Sequence, residues 1–256
     1  MDTLSYSVQL IGLGLLAGVM PLFVGMAIAL AMLWTLPRTH RSLMMGFSIG
    51  VLLYLFFEVM HEAVEFTAAN DFGTWLIFTV SLVVSFIGLV YLEQHLSGSE
   101  PRNPDGLFLV YMIALGLGLH NFGEGLAIGG SFAQGQWVLS SLLVGGFTLH
   151  NATEGFAIMA PAGRQHHRIK HIMLLGLLGG GPTCLGTLIS GYFLSPYVSI
   201  AFYTMAAGSL LYVIVSLSAL PSATAHRLHT ATGITAGICM MFITGMILAL
   251  LVGFRS

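Results

Sequence analysis

Eight apolar runs, each about as long as the ~20 residues a helix needs to cross a hydrocarbon core, constrain this chain more than any other feature. They extend from Val8 to Leu33, Ser42 to Val64, Thr74 to Leu96, Leu107 to Phe132, Trp137 to Ala162, Ile172 to Leu194, Val198 to Leu220 and Thr230 to Phe254. The predicted fold is therefore all-α: a polytopic, eight-helix transmembrane bundle forming a single domain over residues 1–256. Only 7% of the residues are charged, against about 25% in a soluble domain, and the mean hydropathy is +0.91. Connections such as LPRTHR, AQGQ and SPY are too short to hold an extramembrane domain. No basic stretch precedes the first run, so it reads as a retained helix rather than a cleaved signal.

Composition excludes several classes of partner. With a formal net charge of −2 and no basic patch, nucleic-acid binding has no support. Cys184 and Cys239 both fall in apolar stretches, which indicates neither a disulfide framework nor a thiolate metal cluster. The 32 glycines allow helices to approach closely in lipid, where small residues make the interfaces; they are also compatible with a homodimer.

Lys and Arg mark the cytoplasmic side of a membrane protein. Arg38, Arg41, Arg102, Arg164, Arg168, Lys170 and Arg227 all follow odd-numbered runs, and only Arg255 lies opposite. Both termini are thus expected outside the cytoplasm, in a plasma (inner) membrane. The outer loop after the second run carries Glu62, Glu65 and Asp71, which would attract cations. Glu58, His61, Glu62 and Glu65 follow at i, i+3, i+4 and i+7, a stripe that could hand a cation inward; His61-Glu62 also begins the zinc-protease pattern, but position 65 is Glu and the pattern fails. The loop after the fifth run carries His166, His167 and His171, imidazoles that could accept a released metal.

Two near-identical hexapeptides stand at the centres of the fourth and fifth runs: HNFGEG from His120 and HNATEG from His150. The runs are consecutive and joined by a short turn, so they are antiparallel neighbours and the motifs meet near the bilayer midplane. Four-residue spacing puts His120 and Glu124 on one helical face and His150 and Glu154 on another. Carboxylates in a low-dielectric interior need a cation, and no Lys or Arg occurs inside any run. A divalent metal balances two carboxylates, with neutral imidazoles completing the site. Nitrogen and oxygen donors without thiolate suit zinc first, then iron, manganese, cobalt, nickel or cadmium. Asn121 and Asn151 are either ligands of a second metal or interhelical hydrogen-bonding groups. The spacing leaves an intramembrane metal-dependent hydrolase open, but with the candidate groups taken up as ligands no obvious general base remains; no catalytic cofactor is expected, and the metal is cargo. A cation sensor or a carrier of something larger is a third alternative.

The paired His-Asn-x-x-Glu-Gly motifs, eight predicted helices and a basic cytoplasmic side resemble the ZIP (Zrt/Irt-like) family of divalent metal transporters, particularly its bacterial branch. The resemblance implies a transport site at His120, Asn121, Glu124, His150, Asn151 and Glu154, and movement of helices 1, 4, 5 and 6 against a scaffold of helices 2, 3, 7 and 8. Four positions depart from the pattern. Gly123 and Thr153 stand where many bacterial relatives have proline, Gly181 precedes Pro182 where relatives often have glutamate, and Asn151 replaces the acid of some members. The departures favour one metal over a binuclear pair. They also leave Thr183 and Cys184 as contributors to a weaker position, with Cys184 better explained as a small packing residue.

Overall fold

A computed structural model describes residues 3–35, 37, 39–67, 72–97, 106–162, 168–193 and 195–253. Among the described residues the chain forms helices and short turns, with no strands. The helices are α1 (Thr3–Thr35, with a π-helical turn at Leu15–Val19), α2 (Thr39–Thr67), α3 (Phe72–Ser97), α4 (Leu107–Ala133), α5 (Trp137–Ala162), α6 (Ile169–Ser190), α7 (Pro196–Ser218), α8 (Pro221–Thr224) and α9 (Arg227–Gly253). Seven of them, α1 to α4, α6, α7 and α9, are long and apolar enough to cross a bilayer, which makes this a multi-pass helical membrane protein. α5 has the length, at 26 residues, but its polar HNATEG stretch holds down its hydropathy and it is not among the seven. α8 is a single turn begun by Pro221, whose fixed φ suits the first helical position; it falls just after the seventh predicted run, in the loop before the eighth.

The α4–α5 turn sets the register on which the site depends. Gly135 takes φ +74°, a conformation costly for residues with a Cβ. Around it Gln136 N–H donates to the Ser131 carbonyl at 3.0 Å and Gly135 N–H to that of Phe132 at 3.0 Å. These two bonds are the Schellman arrangement that ends a helix and satisfies its last carbonyls. The chain reverses within three residues, so α5 runs back alongside α4.

Glycines sort the helices into two groups. α4 packs most extensively on α6, and α1 on α5. There a Cβ at Gly118 would strike the Leu178 carbonyl, one at Gly125 that of Thr183, and one at Gly25 that of Ala152. In the second group α2 packs on α9 and α3 on α7; Gly50 abuts the Ile234 carbonyl and Gly208 that of Leu82. Between the groups the closest glycine approaches are to side chains: Gly116 to Val213, Gly123 to the Ala206 methyl and Gly146 to Leu248. Backbone therefore meets backbone inside {α1, α4, α5, α6} and inside the pairs α2/α9 and α3/α7, while side chains separate the first group from the rest. The glycine content is used within the chain.

The packing yields a paired test. Gly50→Ala should destabilise the protein by roughly 1–3 kcal/mol through overpacking against α9, whereas Gly88→Ala, which meets open space, should leave stability unchanged or raise it by up to about 1 kcal/mol. Thermal unfolding of the two variants in the same detergent measures the contrast.

Candidate metal centre

His120, Asn121 and Glu124 from α4 and His150, Asn151 and Glu154 from α5 are all at most 5% exposed. The ligand atoms of His120, Glu124 and His150 lie within 4.8 Å of one another. His120 Nε2 is 3.1 Å from Glu124 Oε1 and 3.7 Å from Glu154 Oε1, and His150 Nε2 contacts Glu124 Oε1 directly. Because α4 and α5 are antiparallel, the four-residue step from histidine to glutamate leads toward the turn on α4 and away from it on α5. The histidine rings meet with centroids 6.4 Å apart, with Glu124 on the turn side of this layer and Glu154 on the other.

The asparagines cross over. Asn151 Nδ2 donates to Glu124 Oε2 at 2.7 Å and to the Ala17 carbonyl at 3.0 Å. Asn121 Nδ2 donates to Glu154 Oε2 at 2.9 Å and to the Gly179 carbonyl at 3.1 Å. All four partners only accept, so the amide nitrogens, not the oxygens, must face them. Each glutamate thus gains a donor from the opposite motif, and each motif is tied to a third helix, α1 or α6. The Ala17 carbonyl is available because Pro21, four residues on, has no N–H to return to it. It lies in the π-helical turn of α1, a distortion often found at functional sites.

Several buried polar atoms of this network have no hydrogen-bond partner: both ring nitrogens of His120, Oδ1 of Asn121 and Asn151, Oε1 of Glu154 and Oγ1 of Thr183. Buried polar groups are nearly always paired, so such a concentration marks a place built for something else to bind. A cavity of about 510 Å³ leads to it. His120, Glu124 and His150 line its inner end, and Gln134, Gln136 and Ser195 line its mouth beside the α4–α5 turn. Glu58 and Glu62 stand in its wall with Tyr203, and among the described residues no Lys or Arg lines it.

The other sequence-predicted residues divide. His61 and Glu65 pair with each other at 3.3 Å, 72% and 65% exposed, and are absent from the cavity wall that Glu58 and Glu62 help form. His171 Nδ1 hydrogen-bonds the Tyr111 hydroxyl at 2.9 Å at the opposite end of the bundle, while His166 and His167 lie outside the described residues. Thr153, where a proline could have stood, bonds back to the His150 carbonyl at 2.7 Å, a contact that loosens and bends helices. Gly181 faces open space. Cys184 packs its backbone and sulfur against Gly14 of α1, the role of a small packing residue. Sequence reasoning missed the acceptors Ala17 and Gly179; Pro21 was the signal for the first.

Fold and site together define a helical membrane protein with a buried cluster of imidazoles and carboxylates at the end of a cavity. No family model matches the chain. Over 126 residues, 47% of this chain, it is 31% identical to human zinc transporter ZIP6, and over 122 residues, 46% of it, 30% identical to human zinc transporter ZIP10. The matched stretches cover 16% and 14% of those proteins, so the chain spans about a sixth of the length of the curated relatives it matches.

The crossed asparagines carry a stability prediction. Asn151→Ala strips Glu124 of a donor and Asn121→Ala does the same to Glu154, each leaving a buried carboxylate oxygen unpaired at a cost of roughly 1–3 kcal/mol. Thermal unfolding of the metal-free single variants should show both losses.

Proposed function

We propose that this chain is a member of the ZIP family and carries divalent metal, zinc first, across its membrane through the cluster of His120, Glu124, His150 and Glu154. The single observation that carries the proposal is the convergence of His120, Glu124 and His150 at the buried end of a cavity without a basic residue. Two imidazoles and two carboxylates neutralise and coordinate a dication as tetrahedral zinc requires. Likeness to proteins named zinc transporters favours transport over hydrolysis. The asparagines donate to the glutamates and act as positioning groups, which favours one ion at a time over two.

In this reading residues 1–256 form one domain of eight crossings, α5 included. α5 spans the same depth as its antiparallel neighbour α4, and packing shields its polar face from lipid. The face bearing Arg168, Lys170 and Arg227 is cytoplasmic by the placement of positive charge, which puts both termini outside and the α4–α5 turn at the entrance. Hydrated cations enter the cavity past Glu62 and Glu58 and exchange water for the imidazoles and carboxylates below. The group {α1, α4, α5, α6}, joined through glycine, then moves against the rest and exposes the ion to the cytoplasmic side, where His171 stands near the exit; this is alternating access about a fixed site. Ligand protonation helps release, because the metal binds the deprotonated forms.

Glu124→Gln keeps the size of the side chain and removes its charge. Zinc influx into proteoliposomes loaded with a metal-sensitive dye should fall at least about tenfold while the unfolding profile stays intact; normal uptake by this variant would take Glu124 out of the pathway. Binding is read separately. Zinc at a hundred times its Kd should stabilise the wild-type chain by about 2.7 kcal/mol, and His150→Ala should shrink the thermal shift.

A further inference from the structure

The cavity meets the cluster from the end that bears the α4–α5 turn. Toward the basic end, the space between α2 and α5 is filled. The rings of Phe47 on α2 and Phe156 on α5 meet edge-on with centroids 6.2 Å apart, and Met44, Met45 and Met159 are buried. Beyond this plug, Arg41 reaches from the first turns of α2 to the last turn of α5. Its Nε donates to the Ala160 carbonyl at 3.0 Å and a terminal nitrogen to the Pro161 carbonyl at 3.0 Å.

The contact has a clear physical basis. The last four carbonyls of a helix have no donor within it, and the negative end of the helix dipole favours a cation there. The planar guanidinium fork satisfies two of these carbonyls at once, which a lysine ammonium cannot do in the same geometry. Its position matters more than its strength. α5 carries His150 and Glu154 and is joined through glycine to α1, whereas α2 is joined to α9. Arg41 therefore clasps the two groups together at the end opposite the open cavity. Arg41 is itself partly exposed at the basic end while Ala160 and Pro161 are buried, so when the clasp parts the guanidinium can turn to water at once and the freed carbonyls as the two groups separate, and the contact can re-form reversibly.

We propose that Arg41 is a latch: its hold on Ala160 and Pro161 keeps the basic end shut while the site faces the turn end, and its release precedes opening of the inner path. The inference rests on the alternating-access reading but is tested without any transport measurement. In the full chain, with Cys184→Ser and Cys239→Ser, Met159→Cys places a reporter thiol beneath the clasp and, in a second variant, Leu139→Cys places one in the cavity wall. The proteins are reconstituted without metal and exposed to a membrane-impermeant maleimide from each face.

Arg41→Gln should speed labelling of the thiol at position 159 from the basic face about tenfold, the scale set by losing a partly buried cation at a helix C-terminus. Labelling at position 139 from the other face should slow. Arg41→Lys keeps the charge without the fork and should give a smaller shift in the same direction; it carries the test should the glutamine variant fail to insert. Unchanged labelling at both positions in a folded variant overturns the latch. Zinc flux, measured in parallel, separates the two readings. Flux without any change in labelling sinks the latch alone, whereas opening at position 159 in a chain that moves no zinc sinks the transport reading and leaves the latch standing.

Discussion

Two buried carboxylates with only imidazoles, and among the described residues no Lys or Arg, beside them set the terms for this structure. Their burial is costly unless each oxygen finds a donor or a cation, and the fold answers with neutral donors first. Glu124 receives His150 and Asn151, and Glu154 receives Asn121. These groups come from the opposite motif, so neither glutamate is satisfied unless α4 and α5 hold their register, which the Schellman turn at Gly135 fixes. The same asparagines bind the Ala17 and Gly179 carbonyls. One amide group thus solvates an anion and ties the central pair of helices to α1 or α6, which makes the centre stiff before any ion arrives. The imidazole nitrogens of His120 have no hydrogen-bond partner, and Nε2 faces both carboxylates; on the proposed reading it is the nitrogen that would meet the metal.

Much of this was legible in the sequence because it depends on period and spacing. Apolar runs gave the helices to within several residues, and the repeat of His, Asn and Glu thirty positions apart brought six residues to one place. What stayed hidden was direction. Four-residue spacing says that His150 and Glu154 share a face, but the antiparallel sense of α5 decides that Glu154 lies across the histidine layer from Glu124. The stripe from Glu58 to Glu65 shows the same limit: i, i+3, i+4 and i+7 form one face in projection, yet it is broad enough for Glu58 and Glu62 to enter the cavity wall while His61 and Glu65 turn outward to each other. Asn121 and Asn151, whose roles are open from sequence, donate here to partners that lie on other helices, and periodicity carries no information about those.

Glycine placement divides the bundle mechanically. In lipid no hydrophobic effect drives helices together, so close packing and small residues do the joining. Where backbone meets backbone, as at Gly25 or Gly50, a shift of one helix against the other must separate carbonyl from Cα and leave a void. Where a glycine faces a methyl, as Gly123 faces Ala206 at 3.3 Å, the surfaces are smooth and rotamers can adjust. Motion therefore costs least along the seams that α4 shares with α7, and α5 with α2 and α9. The cluster rides entirely on the α4 and α5 side of those seams, so on the proposed transport reading a rigid-body displacement would change which face reaches it without separating His120, Glu124, His150 and Glu154.

The positions where the chain departs from the ZIP pattern bear on that motion. Proline before each motif glutamate would break a helical bond and fix a bend. Here the Thr153 hydroxyl competes for the His150 carbonyl on α5 and can let go again, and on α4 the missing side chain of Gly123 admits α7. Both substitutes are softer than proline, so the helices around the cluster hold their shape through the crossed asparagines rather than through backbone kinks. Asn121 and Asn151 can do this only while their amides face the glutamates. Turning either oxygen inward to ligate a second ion would remove a donor from Glu124 or Glu154 and untie α1 or α6. With Gly181 offering no carboxylate from α6, little would offset that loss, which is why the proposed transport reading takes one dication at a time between the two histidines.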